Sequence, residues 1–232
     1  ASLDGFESLG GAGAINVEAN DETTLRAVTY AGGGAAIVAA GRADGRNVVN
    51  TLVEAYTKDT TVETGALSVE AENRTTIRGV AVAASGAGFV AGAYFRSLND
   101  IGSDTRAYLG SNTDAQVSGT TNVGASDHSK IVTHSGGGTG AFIIADARGN
   151  AENVILSDVL AYVADASLTT ANLEVAASAQ NSIDSILLGG TGAVISANAF
   201  EGMNRIGGSV QAYLGAGSQI DVNGAAAALT EL

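Results

Sequence analysis

The stretch that decides the fold is GALSVEAENRTTIRGVAVAASGAGFVAGA, residues 65–93. Its residues 67–71 read Leu-Ser-Val-Glu-Ala, and this alternation of apolar and polar residues indicates a β-strand with one buried face. Residues 15–19 show the same alternation, and residues 173–177 show a weaker form of it. Alanine favours helix, but glycine recurs every few residues and costs about 1 kcal/mol at each position inside a helix. The pattern therefore predicts strands joined by tight turns.

The sequence is built from four repeats, which a search for self-similarity identifies before any strand is assigned. An Ala-Tyr pair recurs at steps of 52, 54 and 51 residues, an asparagine stands nine residues before each tyrosine, and a valine recurs at steps of 52, 54 and 52. The recurring residues are Tyr56, Tyr108, Tyr162 and Tyr213; Asn47, Asn99, Asn153 and Asn204; and Val17, Val69, Val123 and Val175.

These registers predict one solenoid domain, residues 13–224, with units at about 13–64, 65–118, 119–171 and 172–224. Residues 1–12 are interpreted as an N-terminal edge or linker. Residues 225–232 are interpreted as a C-terminal tail that is long enough for one turn of helix.

Repeating strands with few large side chains favour a parallel β-solenoid, because the core of such a fold is thin. The chain has five Phe, six Tyr and no Trp among 232 residues. Equal positions of successive coils stack at about 4.8 Å. With strands of ordinary length, one coil takes about 20 to 27 residues. Each repeat would then make two or three coils, and only every second or third coil would carry the tyrosine and asparagine. The sequence leaves both alternatives open.

Each recurring residue has an expected structural role. Asparagine tolerates the left-handed backbone of a tight corner, so the four asparagines are assigned to corners, with a ligand-contacting row as the alternative. The tyrosines are expected to pack in the core, although an exposed stripe is also open. The four valines are expected to point inward. The Gly-rich centres are assigned to close approach between layers, since none has the spacing of a phosphate-binding loop.

The residues indicate no catalytic site, no metal site and no cofactor. The two histidines, His128 and His134, lie in one unit with Asp127 as the sole local carboxylate, and they are interpreted as surface residues near a turn. Polysaccharide-cleaving enzymes use clustered carboxylates, whereas the aspartates of this chain are interpreted as scattered, without a shared repeat position: Asp104, Asp114, Asp146, Asp158, Asp165 and Asp184. The sequence therefore predicts a protein without enzymatic activity.

Composition excludes several classes of protein and partner. The chain has no Cys and no Pro, 45% of its residues are hydrophobic and 15% are charged, which argues against disulfide scaffolds, collagen and disorder. The net charge of −13 argues against nucleic acid and against anionic membrane surfaces. No apolar run reaches the roughly 18 residues of a membrane helix, so membrane insertion is not expected.

The stretch 65–93 and the related NLEVAASAQNSIDSILLGGTGAVISANA, residues 172–199, resemble the tandem repeats of large secreted bacterial filamentous adhesins of the leukotoxin type. The resemblance covers about residues 13–224. It implies a right-handed parallel β-helix at the bacterial surface or outside the cell, displayed as a stalk or fibre, and it offers no catalytic residue to transfer. The chain is then either a segment of a larger protein or a processed subunit.

The expected function is a structural, non-catalytic repeat protein that serves as an adhesin stalk or fibre and assembles end to end. Its partners would be further copies, head to tail, or a host-cell or matrix surface. Exposed strand edges are expected at residues 14–17 and 219–222, where unpaired backbone groups invite assembly. One alternative is a self-assembling filament subunit of a cell surface or extracellular matrix. The other, less favoured, is a polysaccharide-active β-helix enzyme.

Overall fold

The computed structural model of the chain describes residues 1–5, 9–224 and 227–231. These residues contain no helix, and they form twelve strands. In chain order the strands are β1 Ser2–Asp4, β2 Leu9–Ala35, β3 Val38–Lys58, β4 Thr61–Ala87, β5 Val90–Leu109, β6 Thr113–Ala141, β7 Ile144–Val163, β8 Ala166–Ala179, β9 Ser182–Gly192, β10 Ile195–Leu214, β11 Gln219–Val222 and β12 Ala227–Glu231.

The strands belong to two sheets, and every pairing within the described ranges is parallel. Sheet A has the order β1-β3-β5-β7-β10. Sheet B has the order β11-β8-β6-β4-β2, with β9 also pairing with β6 and β12 also pairing with β8. The chain alternates between the sheets, so each repeat contributes one stretch of sheet B and then one strand of sheet A. The predicted all-β parallel solenoid is confirmed.

Each repeat forms a single coil, so the expectation of two or three coils per repeat is wrong. Tyr56 pairs directly with Tyr108, and Asn47 pairs directly with Asn99. The estimate failed because it assumed strands of ordinary length, about 5–6 residues, whereas β4 has 27 residues and β5 has 20. At about 3.3 Å per residue, β4 extends over roughly 90 Å. Every coil therefore carries the tyrosine and the asparagine.

Small shifts of register account for the unequal steps between repeats. Thr64 pairs with Val117 and Leu67 with Thr121, so β6 accommodates one extra residue at this irregularity. A second extra residue lies in the turn between β5 and β6, where three residues separate the strands instead of the two between β3 and β4. One extra residue therefore lies in the turn that follows the tyrosine, and the other lies in the strand after that turn.

The core lies between the two sheets and is filled mainly by aliphatic ladders. The inward positions Val17, Val69, Val123 and Val175 are buried and pair in register along sheet B. An isoleucine cluster lies farther along the strands and contains Ile77 and Ile131 from sheet B with Ile101 and Ile155 from sheet A. Inward and outward residues alternate throughout β5, which is the period expected of a strand.

Phe95 shows how the narrow core accommodates its largest buried side chain. A Cβ added at Gly149 would lie 2.2 Å from the Phe95 ring, and one added at Gly137 would lie 2.7 Å from it. Gly149 is the neighbour of Phe95 in sheet A, while Gly137 belongs to sheet B. Two glycines therefore leave the room that the ring occupies. The expected close backbone approach between layers occurs at Gly33, where an added Cβ would lie 2.5 Å from the carbonyl oxygen of Ala40 in the other sheet.

The left-handed corners lie in the turns that lead from sheet A to sheet B. Asp59, Asn112, Asp165 and Gly217 have φ values of 50°, 56°, 53° and 76°, and these four residues occupy successive coils. The four recurrent asparagines lie inside strands instead, so their assignment to corners is wrong. Asp and Asn both tolerate positive φ. Both the recurrent asparagines and the corner residues repeat once per unit, so the repeat length alone could not show which of the two rows forms the corners.

Short strands partly cover both ends of the solenoid. Strand β1 pairs with Tyr56–Lys58 of β3, while β11 and β12 pair with β8. The C-terminal tail, which is long enough for one turn of helix, contains a strand at Ala227–Glu231 instead. Residues 6–8 of the expected N-terminal edge and residues 225, 226 and 232 of the tail lie outside the described residues.

Candidate functional site

The recurrent asparagines form a hydrogen-bonded ladder inside the solenoid. Asn47 Nδ2 donates to Asn99 Oδ1 over 2.6 Å, Asn99 Nδ2 donates to Asn153 Oδ1 over 2.8 Å, and Asn153 Nδ2 donates to Asn204 Oδ1 over 2.8 Å. Asn47, Asn99 and Asn153 are buried. Each amide donates toward the C-terminal end of the solenoid, so the ladder has a direction.

Sheet B supplies the surroundings that make a buried amide ladder possible. Thr133 Oγ1 accepts a hydrogen bond from Asn99 Nδ2 over 2.9 Å and donates to Asn153 Oδ1 over 2.8 Å. Gly79 lies opposite, where a Cβ would come within 2.9 Å of Asn99 Oδ1. Buried polar groups cost free energy unless they are hydrogen-bonded, and this ladder meets that requirement through its own repetition.

The four tyrosines form a continuous stack on the outer face of sheet A. Successive ring centroids of Tyr56, Tyr108, Tyr162 and Tyr213 are 5.0, 4.8 and 5.1 Å apart, with interplanar angles of 4–6°. The preceding alanines point inward and are buried. The expectation that the tyrosines pack in the core is therefore wrong, and the alternative of an outer stripe applies. The narrow interior has room for the alanine side chain. Because successive side chains of a strand point to opposite faces, the adjacent tyrosine points outward.

Burial within the stack raises the pKa of Tyr108 and Tyr162. Burial against its neighbours raises the pKa of Tyr162 to about 12, with smaller contributions from Tyr108 and Tyr213. The pKa of Tyr108 is also raised, chiefly by burial. Arg106 lies on the same face and forms ion pairs with Asp104 and Glu54. Its hydrogen bond to Asp104 is the main cause of the raised pKa of Arg106.

A second buried polar group surrounds Asp127, which the sequence analysis considered only beside the histidines. Its fully buried carboxylate accepts hydrogen bonds from Asn73 Nδ2, Ser129 Oγ and Ser157 Oγ. Asn73 is the neighbour of Asp127 in sheet B, whereas Ser157 crosses from sheet A. The alternation of β6 indicates that Asp127 points inward, but only the stacked sheets identify its partners.

The described part of the chain contains no group of three His, Cys, Asp or Glu side chains that could hold a metal ion. His128 Nε2 lies 4.0 Å from Glu72 and His134 is exposed, while Asp127 faces the interior. These three side chains therefore do not converge. No helix within the described residues is long and apolar enough to cross a membrane.

The two ends of the solenoid expose positions that are buried in its middle. Ile206 is 52% exposed, whereas the equivalent Ile155 and Ile101 are fully buried. Strand β10 pairs with β7 on one side, and its other edge carries no partner strand among the described residues. At the opposite end, and again counting only the residues that the structure describes, β2 pairs with β4 alone and β3 is covered only at Tyr56–Lys58. The ends are therefore open edges, as expected for residues 14–17 and 219–222.

The ladders and open ends are the candidate functional features of this chain. Comparison with known proteins found no matching family model, no matching curated protein and no matching solved structure.

Proposed function

We propose that this chain is a structural, non-catalytic module of a fibre or stalk at the bacterial surface or outside the cell. Its solenoid continues end to end, either between copies or within a longer polypeptide. The observation that carries the proposal is the exposure of Ile206, which occupies a core position at the C-terminal end. An additional coil would bury this side chain, as the flanking strands β5 and β10 bury Ile155.

The asparagine ladder supports a head-to-tail direction for this continuation. Within the described residues, Asn204 Nδ2 donates to no acceptor and Asn47 Oδ1 accepts from no donor. These two groups stand at opposite ends of the same ladder. A second copy placed head to tail brings the free donor to the free acceptor, whereas a head-to-head arrangement brings two donors together. Matching donors with acceptors selects the first arrangement.

Backbone pairing would provide most of the contact at such a joint. The unpaired edge of β10 can meet the open edge of β3, and each hydrogen bond contributes about 1 kcal/mol net. Ile206 would then pack beside Val49 of the next copy. The net charge of −13 opposes the approach of two copies, and added salt screens this repulsion. Assembly should therefore become stronger as ionic strength rises.

The terminal strands limit how closely two separate copies can stack. Leu229 pairs with Val175, so β12 occupies the place that residues around Val17 of a following copy would take. Strand β1 similarly covers one corner of β3. Direct stacking of copies requires β11 and β12 to leave β8. Continuation within one longer polypeptide has no such requirement.

The experiment measures molar mass by light scattering and particle length by electron microscopy, at low and high ionic strength. Ile206→Asp introduces a charge at an inward-facing position of the open end, while Met203→Asp makes the same charge change on the outer face of β10. The two side chains are similarly exposed, at 52% and 47%, so neither variant disrupts the free chain. We expect Ile206→Asp to abolish end-to-end assembly and Met203→Asp to retain it.

Deletion of residues 219–232 provides a second arm of the same test. It uncovers β8, so we expect longer assemblies than those of the full chain, provided circular dichroism shows an unchanged strand content. A full chain and a truncated chain that both remain monomeric at every salt concentration would contradict end-to-end assembly. Equal behaviour of Ile206→Asp and Met203→Asp in an assembling chain would contradict the proposed joint.

A further inference from the structure

One narrow side of the solenoid is an exposed apolar surface, which we call the apolar edge. It lies at the turns that lead from sheet B to sheet A, on the side opposite the tyrosine stack along the strands. Its side chains are 37% to 79% exposed. They are Ile37, Val38, Phe89, Phe142, Ile143, Ile144, Val194 and Ile195.

The apolar edge is an ordered surface because the turns of successive coils bond to one another. Gly88 N donates to Ala36 O over 3.1 Å, and Phe142 N donates to Gly88 O over 3.2 Å. Ile195 N donates to Ile143 O over 2.8 Å. These bonds hold the turns in register, so little conformational entropy remains to be lost when the edge is covered.

Charge is absent from this side of every coil. Residues 27–41, 79–95, 131–145 and 185–200 contain no Asp, Glu, Lys or Arg, although the whole chain has a net charge of −13. The acidic residues therefore lie toward other parts of the surface. Two copies that meet at their apolar edges place no charged side chain in the contact, and their mutual repulsion is weakest in this orientation.

The size of the apolar edge is that of a stable interface. The eight side chains expose on the order of 700–800 Å², which is about what each partner contributes to a standard protein interface. The largest apolar patch of an ordinary monomer covers about 300–600 Å². Covering the apolar edge therefore removes more apolar surface from water than isolated surface residues would.

We propose that the apolar edge is the contact surface for a second copy of this chain, which binds side by side through a two-fold axis. A two-fold contact presents the same surface from both partners, and the apolar edge suits this because it is uniformly apolar and regularly stepped. Coils are about 4.8 Å apart, so side chains from one copy can lie between the coils of the other. In an end-to-end fibre the same contact would pair two fibres laterally. The contact does not depend on the end-to-end joint.

The test is sedimentation equilibrium of the full chain with two doubly substituted variants. Phe142→Asp with Val194→Asp places two charges on the apolar edge, at side chains that are 74% and 79% exposed. Tyr30→Asp with Leu188→Asp is the matched control, because these side chains are 72% and 67% exposed and lie on the outer face of sheet B. We expect the edge variant to dimerise about tenfold or more weakly, and the control to dimerise like the original chain.

Measurement in the Ile206→Asp background separates side-by-side pairing from end-to-end assembly, since that substitution affects only the open end. Cross-linking gives an independent readout, because the chain contains no Cys. Ile37→Cys and Val194→Cys lie on the first and last coils of the apolar edge; tested singly and mixed with each other, they should form an intermolecular disulfide on oxidation, whereas Leu188→Cys should not.

A monomeric chain, or an edge variant that dimerises as strongly as the control, would overturn the proposal. Binding of a monomeric chain to neutral phosphatidylcholine vesicles, lost only in the edge variant, would overturn it in favour of a lipid surface.

Discussion

Replacing Asn99 with Ala tests whether the interior asparagine ladder stabilises the solenoid. Asn99 accepts from Asn47 over 2.6 Å and donates to Thr133 and Asn153 over 2.9 and 2.8 Å. Its removal leaves Asn47 Nδ2 buried without an acceptor, at a cost of about 1–3 kcal/mol, and each of the other bonds contributes about 1 kcal/mol. The expected loss of unfolding free energy is therefore about 3–5 kcal/mol.

The matched control is Asn204→Ala at the open end of the same ladder. Asn204 is exposed and accepts one bond, from Asn153, and water can replace it there, so we expect a loss of about 1 kcal/mol. Urea unfolding followed by far-UV circular dichroism measures both losses. Equal losses in the two variants would refute the view that buried amide bonding holds the coils together.

Asn99→Asp adds a readout that simple loss of packing would not affect. The carboxylate has no hydrogen to donate to Thr133 and Asn153, whereas the protonated carboxyl can donate one bond. Burial favours the neutral form, so the carboxyl pKa in the folded variant should lie above its unfolded value. Stability should thus be retained at pH values below the unfolded pKa and lost as the pH rises through the folded pKa. A variant whose stability relative to the original chain is independent of pH would contradict this reasoning.

Three further predictions concern the core, the tyrosine stack and the glycines. Val123→Asp buries a carboxylate without a partner and should lower the unfolding free energy by more than about 4 kcal/mol, whereas Val132→Asp on the outer face, between Arg78 and Asp184 of the neighbouring strands, should change it by less than about 1 kcal/mol; similar melting of both variants would contradict the inward assignment. The pKa of Tyr162 is raised to about 12, so this side chain should ionise at a higher pH than free tyrosine in an ultraviolet titration. Its contribution to stability should be complete below the unfolded pKa of about 10 and be lost as the pH rises toward 12. Gly149→Ala places a Cβ 2.2 Å from the Phe95 ring and should lower the unfolding free energy measured in urea. Adding Phe95→Leu to the same chain should recover part of that free energy. Purely additive losses in the double variant would count against this packing.

The sequence by itself determined the features that depend on short-range pattern. Alternation identified the strands and the inward side of the valine row, since successive side chains of a strand point to opposite faces. The repeat determined which residues would stack, because equal positions of equal coils must pair in a parallel solenoid. The expectation of open edges at both ends followed from the same argument.

Only the tertiary structure decided how long a coil is and which sheet faces each ladder. The step from Tyr56 to Tyr108 is compatible with one, two or three coils, because strand length depends on where the chain turns and not on its local alternation. The inward position of the asparagines also required both sheets, since Thr133 and Gly79 approach them from 20 or more residues away in the chain. The alternation of β6 is enough to assign Asp127 to the inward face. Its partner Ser157 could not be found in this way, because Ser157 belongs to the other sheet. Contacts across a core join residues whose separation along the chain bears no fixed relation to their separation in space.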